Sequence, residues 1–197
     1  LPEQVQPYVV GIEGQLADLW VLLIAGTVLM LVGLVDDIRG LSWKLRLAIQ
    51  FLVATTCVVS QEWYFTAFIP YRIITVGCTV FWIVMLVNSF NMLDNMDAAA
   101  GGVAVICSIA LVFYVVLLGV TSEGPQLYVA GLLLVFIGAL LGFLIHNKPP
   151  AKIFMGDAGS YFVGFCIAVA TILTTYTDGE NPVAHAVIAP LIIMAVP

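Results

Sequence analysis

Apolar residues run through this chain in long blocks, parted by short stretches where charge, proline and glycine gather. The blocks fall at about 19–35, 45–60, 73–92, 99–121, 127–146 and 158–177, and a seventh opens near 183 and reaches 197. Roughly 20 apolar residues carry a helix across a bilayer. The pattern therefore predicts six full spans, the second of them short, and a partial seventh. Every span must be helical, because lipid offers backbone N–H and C=O groups no partner. The expected fold class is all-α, a polytopic transmembrane helical bundle. The chain starts at Leu1 without a Met and stops inside an apolar run. It is expected to be a single integral membrane domain over 1–197, truncated at both ends.

Composition sharpens this. The chain is 62% hydrophobic and only 9% charged, whereas soluble domains carry about a quarter charged residues. A soluble enzyme is excluded, and no nucleic-acid partner is expected. The net charge of −6 says less than the place of each charge. Arg39, Lys44, Arg46, Lys148 and Lys152 lie in one set of connections, and Arg72 alone lies in the other. By the positive-inside rule the first set is cytoplasmic. Residues 1–18, 61–72, 122–126 and 178–182 then become external loops. Trp63, Tyr64, Phe65, Phe68 and Tyr71 suit an aromatic belt on that side. Cys57, Cys78, Cys107 and Cys166 sit in apolar runs without ligand spacing, and read as small buried side chains.

The acidic residues divide in the same way. Glu3, Glu13, Asp18, Glu62, Glu123, Asp178 and Glu180 fall in external loops as solvated charge. Asp36, Asp37, Asp94, Asp97 and Asp157 all fall at cytoplasmic ends of spans. Lysine and arginine alone set the orientation, so this clustering is independent of it.

Three stretches hold these five aspartates. In "VDDIRGLSWKLRLAIQ" (35–50), Asp36 and Asp37 close the first span, and Lys44 and Arg46 open the second. Adjacent carboxylates repel unless a cation lies near them. A metal or a basic partner would relieve the conflict, but this stretch alone reads more readily as a solvated acidic pair facing snorkelling cations. In "NSFNMLDNMDAAAGG" (88–102), Asn88, Asn91, Asp94 and Asp97 recur every three residues and drift slowly round one helix face. Capping of the helix that starts near Ala98 would explain one of the four. In "HNKPPAKIFMGDAGSYFVGF" (146–165), Asp157 is either an N-cap with Ser160 beside it or a metal ligand. In the second case the glycine-exposed N–H groups at the helix start would receive phosphate. Lys148 and Lys152 are cations of the right kind for phosphate, and His146 reads as structural. The oxygen-only side chains point to a hard cation. Magnesium fits best, with manganese as its substitute, and it commonly takes one or two carboxylates plus substrate phosphates.

Taken together, the three stretches resemble the polyprenyl-phosphate N-acetylhexosamine-1-phosphate transferase family, glycosyltransferase family 4. That family's pattern is a helix ending in Asp-Asp, a Lys-containing helix, N-x-x-N-x-x-D-G-x-D-G, and N-x-x-P-A-x-x-F-M-G-D-x-G-S. Here Asn95 and Ala98 stand where the family has glycine, which touches local backbone shape and nucleotide fit. The family also has further spans on both sides, and a His-rich cytoplasmic loop beyond the point where this chain ends.

The resemblance implies magnesium-dependent transfer of HexNAc-1-phosphate from a UDP-sugar to a polyprenyl phosphate lipid, with UMP leaving. The site would face the cytoplasm at the bacterial inner membrane, and a homodimer is left open. By the same resemblance, Asp157 binds magnesium, and Asn88, Asn91 and Asp94 shape the metal-diphosphate site. Asp97 lies near the nucleotide, Lys44 holds phosphate charge, and Asn147, Gly156 and Ser160 complete the substrate contacts. Asp36 deprotonates or orients the lipid phosphate with Asp37 supporting, and direct attack is favoured over a covalent aspartyl-phosphate.

Other readings stay open. The nearest is the phospho-N-acetylmuramoyl-pentapeptide transferase of peptidoglycan synthesis. An ion-coupled transporter would place its carboxylates near the midplane, not at one edge. A CDP-alcohol phosphotransferase would need further aspartates soon after Asp97, where the next acid is Glu123. A non-catalytic scaffold would fit if the missing segments do not exist.

Overall fold

The computed structural model describes residues 6–63, 71–117, 120–121, 124–125 and 127–175. Six helices follow one another: α1 (Gln6–Arg39), α2 (Trp43–Ser60), α3 (Arg72–Leu93), α4 (Ala99–Leu117), α5 (Leu127–Asn147) and α6 (Gly156–Thr175). Between α4 and α5, β1 (Val120–Thr121) pairs antiparallel with β2 (Gly124–Pro125). All six helices hold a stretch long and apolar enough to cross a membrane. The chain is an all-α, multi-pass membrane bundle, as its hydrophobic pattern predicts. The seventh apolar run lies outside the described residues, as do Tyr64, Phe65, Phe68, Asp178 and Glu180.

Several expected boundaries shift. The first helix begins at Gln6, so residues 6–18 are not a loop, and Glu13 and Asp18 lie within α1. Pro7 stands in its first turn, where a missing N–H removes no helical hydrogen bond, and no later proline interrupts it. Helix α4 stops at Leu117, short of 121, and the chain passes into the β1–β2 ladder. Trp63 is not part of an exposed belt: it is buried, and its Nε1 donates to Asp18 Oδ1 at 3.3 Å. Tyr71 is exposed. Cys57 and Cys107 are buried as expected, but Cys166 is half-buried and Cys78 is exposed on α3.

Helix α6 is the most enclosed. It packs chiefly against α1 and α3 and also touches α4, while α4 pairs with α5 and α2 leans on α3 and α1. Tyr161, Phe165, Ile167, Ala168 and Val169 of α6 are fully buried. Large apolar side chains such as Trp20, Leu52 and Val135 are exposed on the outer faces of α1, α2 and α5, which suits lipid contact. The α1–α6 crossing depends on Gly33: a Cβ there would lie 2.4 Å from the Asp157 carbonyl oxygen. This close approach brings the end of α1, with its two aspartates, against the start of α6.

Candidate active site

Four aspartates from α1, the end of α3 and α6 converge where α6 begins. Asp36 is buried. Its Oδ1 accepts the Leu41 N–H at 2.6 Å, and its Oδ2 accepts from Arg46 Nη1 at 2.5 Å. The same Nη1 lies 3.6 Å from Asp157 Oδ2. Tyr161 adds its hydroxyl to Asp36 Oδ2 at 3.4 Å. One guanidinium thus stands against carboxylates from two helices, and its place beside Asp36 puts a cation near one member of the Asp-Asp pair.

Asp37 is exposed and does different work. Its Oδ1 accepts the Asp157 N–H at 3.0 Å, and its Oδ2 accepts the Ala158 N–H at 3.2 Å. Asp94 Oδ2 accepts the Gly156 N–H at 3.0 Å. The first amides of α6 are therefore capped from other helices rather than by Asp157, and carboxylates receive the N–H groups expected to face phosphate. A carboxylate at a helix N-terminus satisfies free donors and meets the favourable end of the dipole. Gly156 makes room for this. Its φ of +65° is in the left-handed region, and a Cβ would lie 2.8 Å from Asp37 Oδ2.

The second stretch binds the third. Asn91 Nδ2 donates to Asp157 Oδ1 at 2.6 Å and to Ser160 Oγ at 3.1 Å. Asp94 and Asp97 do not cap α4. Asp94 sits at the C-terminus of α3 with its carboxylate on Gly156, and Asp97 Oδ2 accepts the Ala151 N–H at 2.9 Å. Burial pushes the Asp94 carboxyl above its ordinary value; the Gly156 N–H draws it partly back, and the nearby Asp37 charge raises it again. Asn147 is buried, accepts the Ala98 N–H at 2.9 Å and donates to the Ile153 carbonyl at 2.8 Å. Ala98 itself has φ +64°, so alanine occupies a left-handed position that glycine fills without strain. A small, solvent-open cleft adjoins this turn, lined by Asp94, Asn95, Met96, Asp97, Asn147 and Phe154.

Two expected site residues stand apart. Asn88 Nδ2 donates to Gln50 Oε1 at 2.6 Å and to the Val84 carbonyl at 2.7 Å, away from the aspartates. Lys44 is exposed, with its ammonium 5.6 Å from the Trp43 ring centroid. Lys148, Lys152 and His146 are also exposed. Tyr161 and Gln50 join the network without having been singled out in the sequence, and Arg46, named there only as a cation opening the second span, takes the place expected of Lys44. For α2 the missed signal is helical phase. Arg46, Gln50, Ala54 and Val58 recur every four residues along the side that packs inward, whereas Lys44 lies about 200° round the helix from Arg46.

Among the described residues, no three His, Cys, Asp or Glu side chains close on one point as metal ligands. The donor set is oxygen throughout, and Asp157 keeps part of its carboxylate exposed. That chemistry suits a hard cation held by one or two carboxylates, with a substrate supplying other oxygens.

The profile of glycosyl transferase family 4 matches residues 19–175. A probable undecaprenyl-phosphate N-acetylglucosaminyl 1-phosphate transferase of Bacillus subtilis (strain 168) is 32% identical over 179 residues, covering 86% of this chain and 47% of that protein. A decaprenyl-phosphate N-acetylglucosaminephosphotransferase of Mycobacterium tuberculosis (strain ATCC 25618 / H37Rv) is 33% identical over 170 residues, covering 81% and 42%. A phospho-N-acetylmuramoyl-pentapeptide-transferase of Listeria welshimeri is 36% identical over 122 residues, covering 60% and 32%. The chain spans less than half the length of these curated relatives. The matched region runs from α1 through α6 and takes in every residue of the aspartate cluster, so the chain belongs to glycosyl transferase family 4.

Proposed function

We propose that this chain forms the core of a magnesium-dependent transferase at the cytoplasmic face of the bacterial inner membrane. It moves HexNAc-1-phosphate from a UDP-sugar, UDP-GlcNAc in the first instance, to polyprenyl phosphate, and so begins a cell-envelope polysaccharide. An oxygen of the lipid phosphate attacks the β-phosphorus of the donor. The bond from that phosphorus to the bridging oxygen breaks, and UMP leaves with the oxygen. The supporting observation is the meeting of Asp36, Asp37, Asp94 and Asp157 with Arg46 and Asn91 at one end of the bundle.

Phosphoryl transfer asks a protein mainly for positioning and charge stabilisation. Magnesium, when bound, would neutralise charge on the diphosphate. Asp157, held by Asn91, and Asp94 are the residues that would hold it; Asn88, turned to Gln50, is less suited. Asp37 is the exposed member of its pair and stands nearer an incoming phosphate. Asp36 is engaged by Arg46 and Leu41, and its role is to fix the guanidinium where phosphate charge arrives. Little base catalysis is needed, since the second pKa of a phosphate monoester is ~6. The cleft beside Asp97 and Phe154 would take the nucleotide.

Membranes containing the full-length protein, given radiolabelled UDP-GlcNAc, undecaprenyl phosphate and magnesium, should yield a lipid-linked diphospho-sugar and UMP. Chelation with EDTA should stop the reaction and added magnesium restore it. Product from UDP-MurNAc-pentapeptide and none from UDP-GlcNAc would favour the peptidoglycan enzyme, whose relatives match over a shorter stretch. No product from either donor would refute the reading.

A further inference from the structure

Helices α2 and α3 are joined by two polar rungs. The outer one runs through Asp157, with Arg46 of α2 at 3.6 Å and Asn91 of α3 at 2.6 Å. The inner one is Gln50 of α2 accepting from Asn88 of α3 at 2.6 Å. It lies about one turn deeper, since Gln50 follows Arg46 by four residues and Asn88 precedes Asn91 by three.

The inner rung keeps a destabilising group. Gln50 is 1% exposed, and its Nε2 has no hydrogen-bond partner. The amide orientation follows from its neighbours. The Val84 carbonyl takes one N–H of Asn88 at 2.7 Å, so Asn88 presents its nitrogen to α2. Gln50 must answer with oxygen, and its own NH2 is left over. An unpaired buried donor costs stability, and leucine would fill similar space without one. The remaining buried residues of α2 are Ala54, Cys57 and Val58, whose packing is not directional. Helix α2 also makes its main contacts with α3 and α1 rather than with the central α6. Among the described residues, the directional side-chain bonds from α2 to other helices are those of Arg46 itself, to Asp36, Asp157 and Tyr161, and that of Gln50, so Gln50 is the bond that can hold the helix in rotation independently of the guanidinium.

We infer that Gln50 is a positioning residue. Its bond to Asn88 fixes the rotation of α2 and holds the Arg46 guanidinium between Asp36 and Asp157. The catalytic consequence rests on the transferase reading above. The mechanical one does not.

The test uses full-length protein in membranes with Gln50→Leu and Gln50→Glu. Misplacing a reactive group by an ångström can cost up to about a hundred-fold in rate. Gln50→Leu should therefore lower kcat about ten-fold, leave KM for both substrates within about two-fold, and leave Tm unchanged or raised. Gln50→Glu, which keeps an acceptor for Asn88, should recover most of kcat. A fall of Tm together with kcat in Gln50→Leu, or an unchanged kcat, would overturn the inference. Encoded spin labels at Ala48 on α2 and Met92 on α3 supply a reading independent of turnover. Their distance distribution should be narrow in the parent and in Gln50→Glu, and broad in Gln50→Leu. An inactive parent enzyme would count against the transferase alone, and the distances would still decide Gln50: equal distributions would overturn it.

Discussion

Two pairs of aspartates lie at the same end of the bundle and are held in opposite ways. Asp36 and Asp157 come from α1 and α6, and one guanidinium from a third helix reaches both. Asp94 and Asp97 sit three residues apart at the α3–α4 turn, and each accepts one backbone N–H from the segment around the start of α6. The first pair concentrates charge from distant parts of the chain. The second tethers one loop to another. One residue type at one membrane edge therefore serves two purposes, and the identity of the partner separates them. The guanidinium draws carboxylates from distant helices together, while the amide bonds of Asp94 and Asp97 fix the backbone around them, Asp94 through Oδ2.

The largest effect should come from breaking the charged pair. Asp157→Ala and Asp36→Asn should each lower transfer by about a thousand-fold, the scale on which a preorganised electrostatic group acts. The measurement is the radiolabelled transfer assay on full-length protein. Unchanged turnover in both variants would remove the distinction between the pairs. Gly33→Ala tests what brings that pair together. The added methyl meets the Asp157 carbonyl, a backbone atom that cannot swing aside. Overpacking of this kind costs about 3 kcal/mol at its upper end, so thermal unfolding in detergent should move well down and activity should fall with it. A Tm equal to the parent's would mean that α1 and α6 can part without loss.

The tethering region should respond less, and in stability before rate. Asn147→Ala leaves the Ala98 N–H and the Ile153 carbonyl without their partner. Both bonds are part-buried, so stranding these groups should cost about 1 kcal/mol, the low end for a polar group left without a partner. The expected result is a lower Tm, with part of the activity retained at low temperature. A variant that loses all transfer at an unchanged Tm would instead place Asn147 directly on substrate.

How much of this could be read from the sequence follows the same division. Long apolar runs made the six spans legible, because a bilayer imposes their length. Charge asymmetry gathered the five aspartates at one edge, since lysine and arginine report orientation without any contact being known. Pairwise contacts were not legible. The family resemblance points to Lys44 as the cation, yet helical phase brings Arg46 inward. Asp157 admits an N-cap reading beside the metal-ligand one because it opens a helix, whereas the caps are Asp37 and Asp94, 120 and 62 residues from the amides they accept. No local pattern encodes such a distance. Gln50 sat unnoticed in an apolar run, although its four-residue interval from Arg46 was visible. Asp18 passed for a loop residue because the rule that places spans says little about how far a helix continues beyond the membrane.

The smallest effect should be a gain. Ala98 has φ +64°, where its Cβ crowds the following carbonyl oxygen, a cost of about 1–2 kcal/mol in the left-handed region. The resembling family pattern has glycine there. Ala98→Gly would relieve that crowding and keep the N–H for Asn147. Against this, glycine widens the unfolded ensemble by about 0.4–1 kcal/mol. The difference leaves a net stabilisation of about 0.5–1 kcal/mol, or about 1–4 °C in Tm for a domain of this size. Transfer should stay within about two-fold, because no carboxylate or cation moves. A stabilised variant with unchanged turnover would set the turn apart from the charged pair as backbone scaffold. A Tm that falls would mean that the Ala98 methyl gains more from its surroundings than its backbone loses, and that side-chain packing as well as amide capping holds the turn.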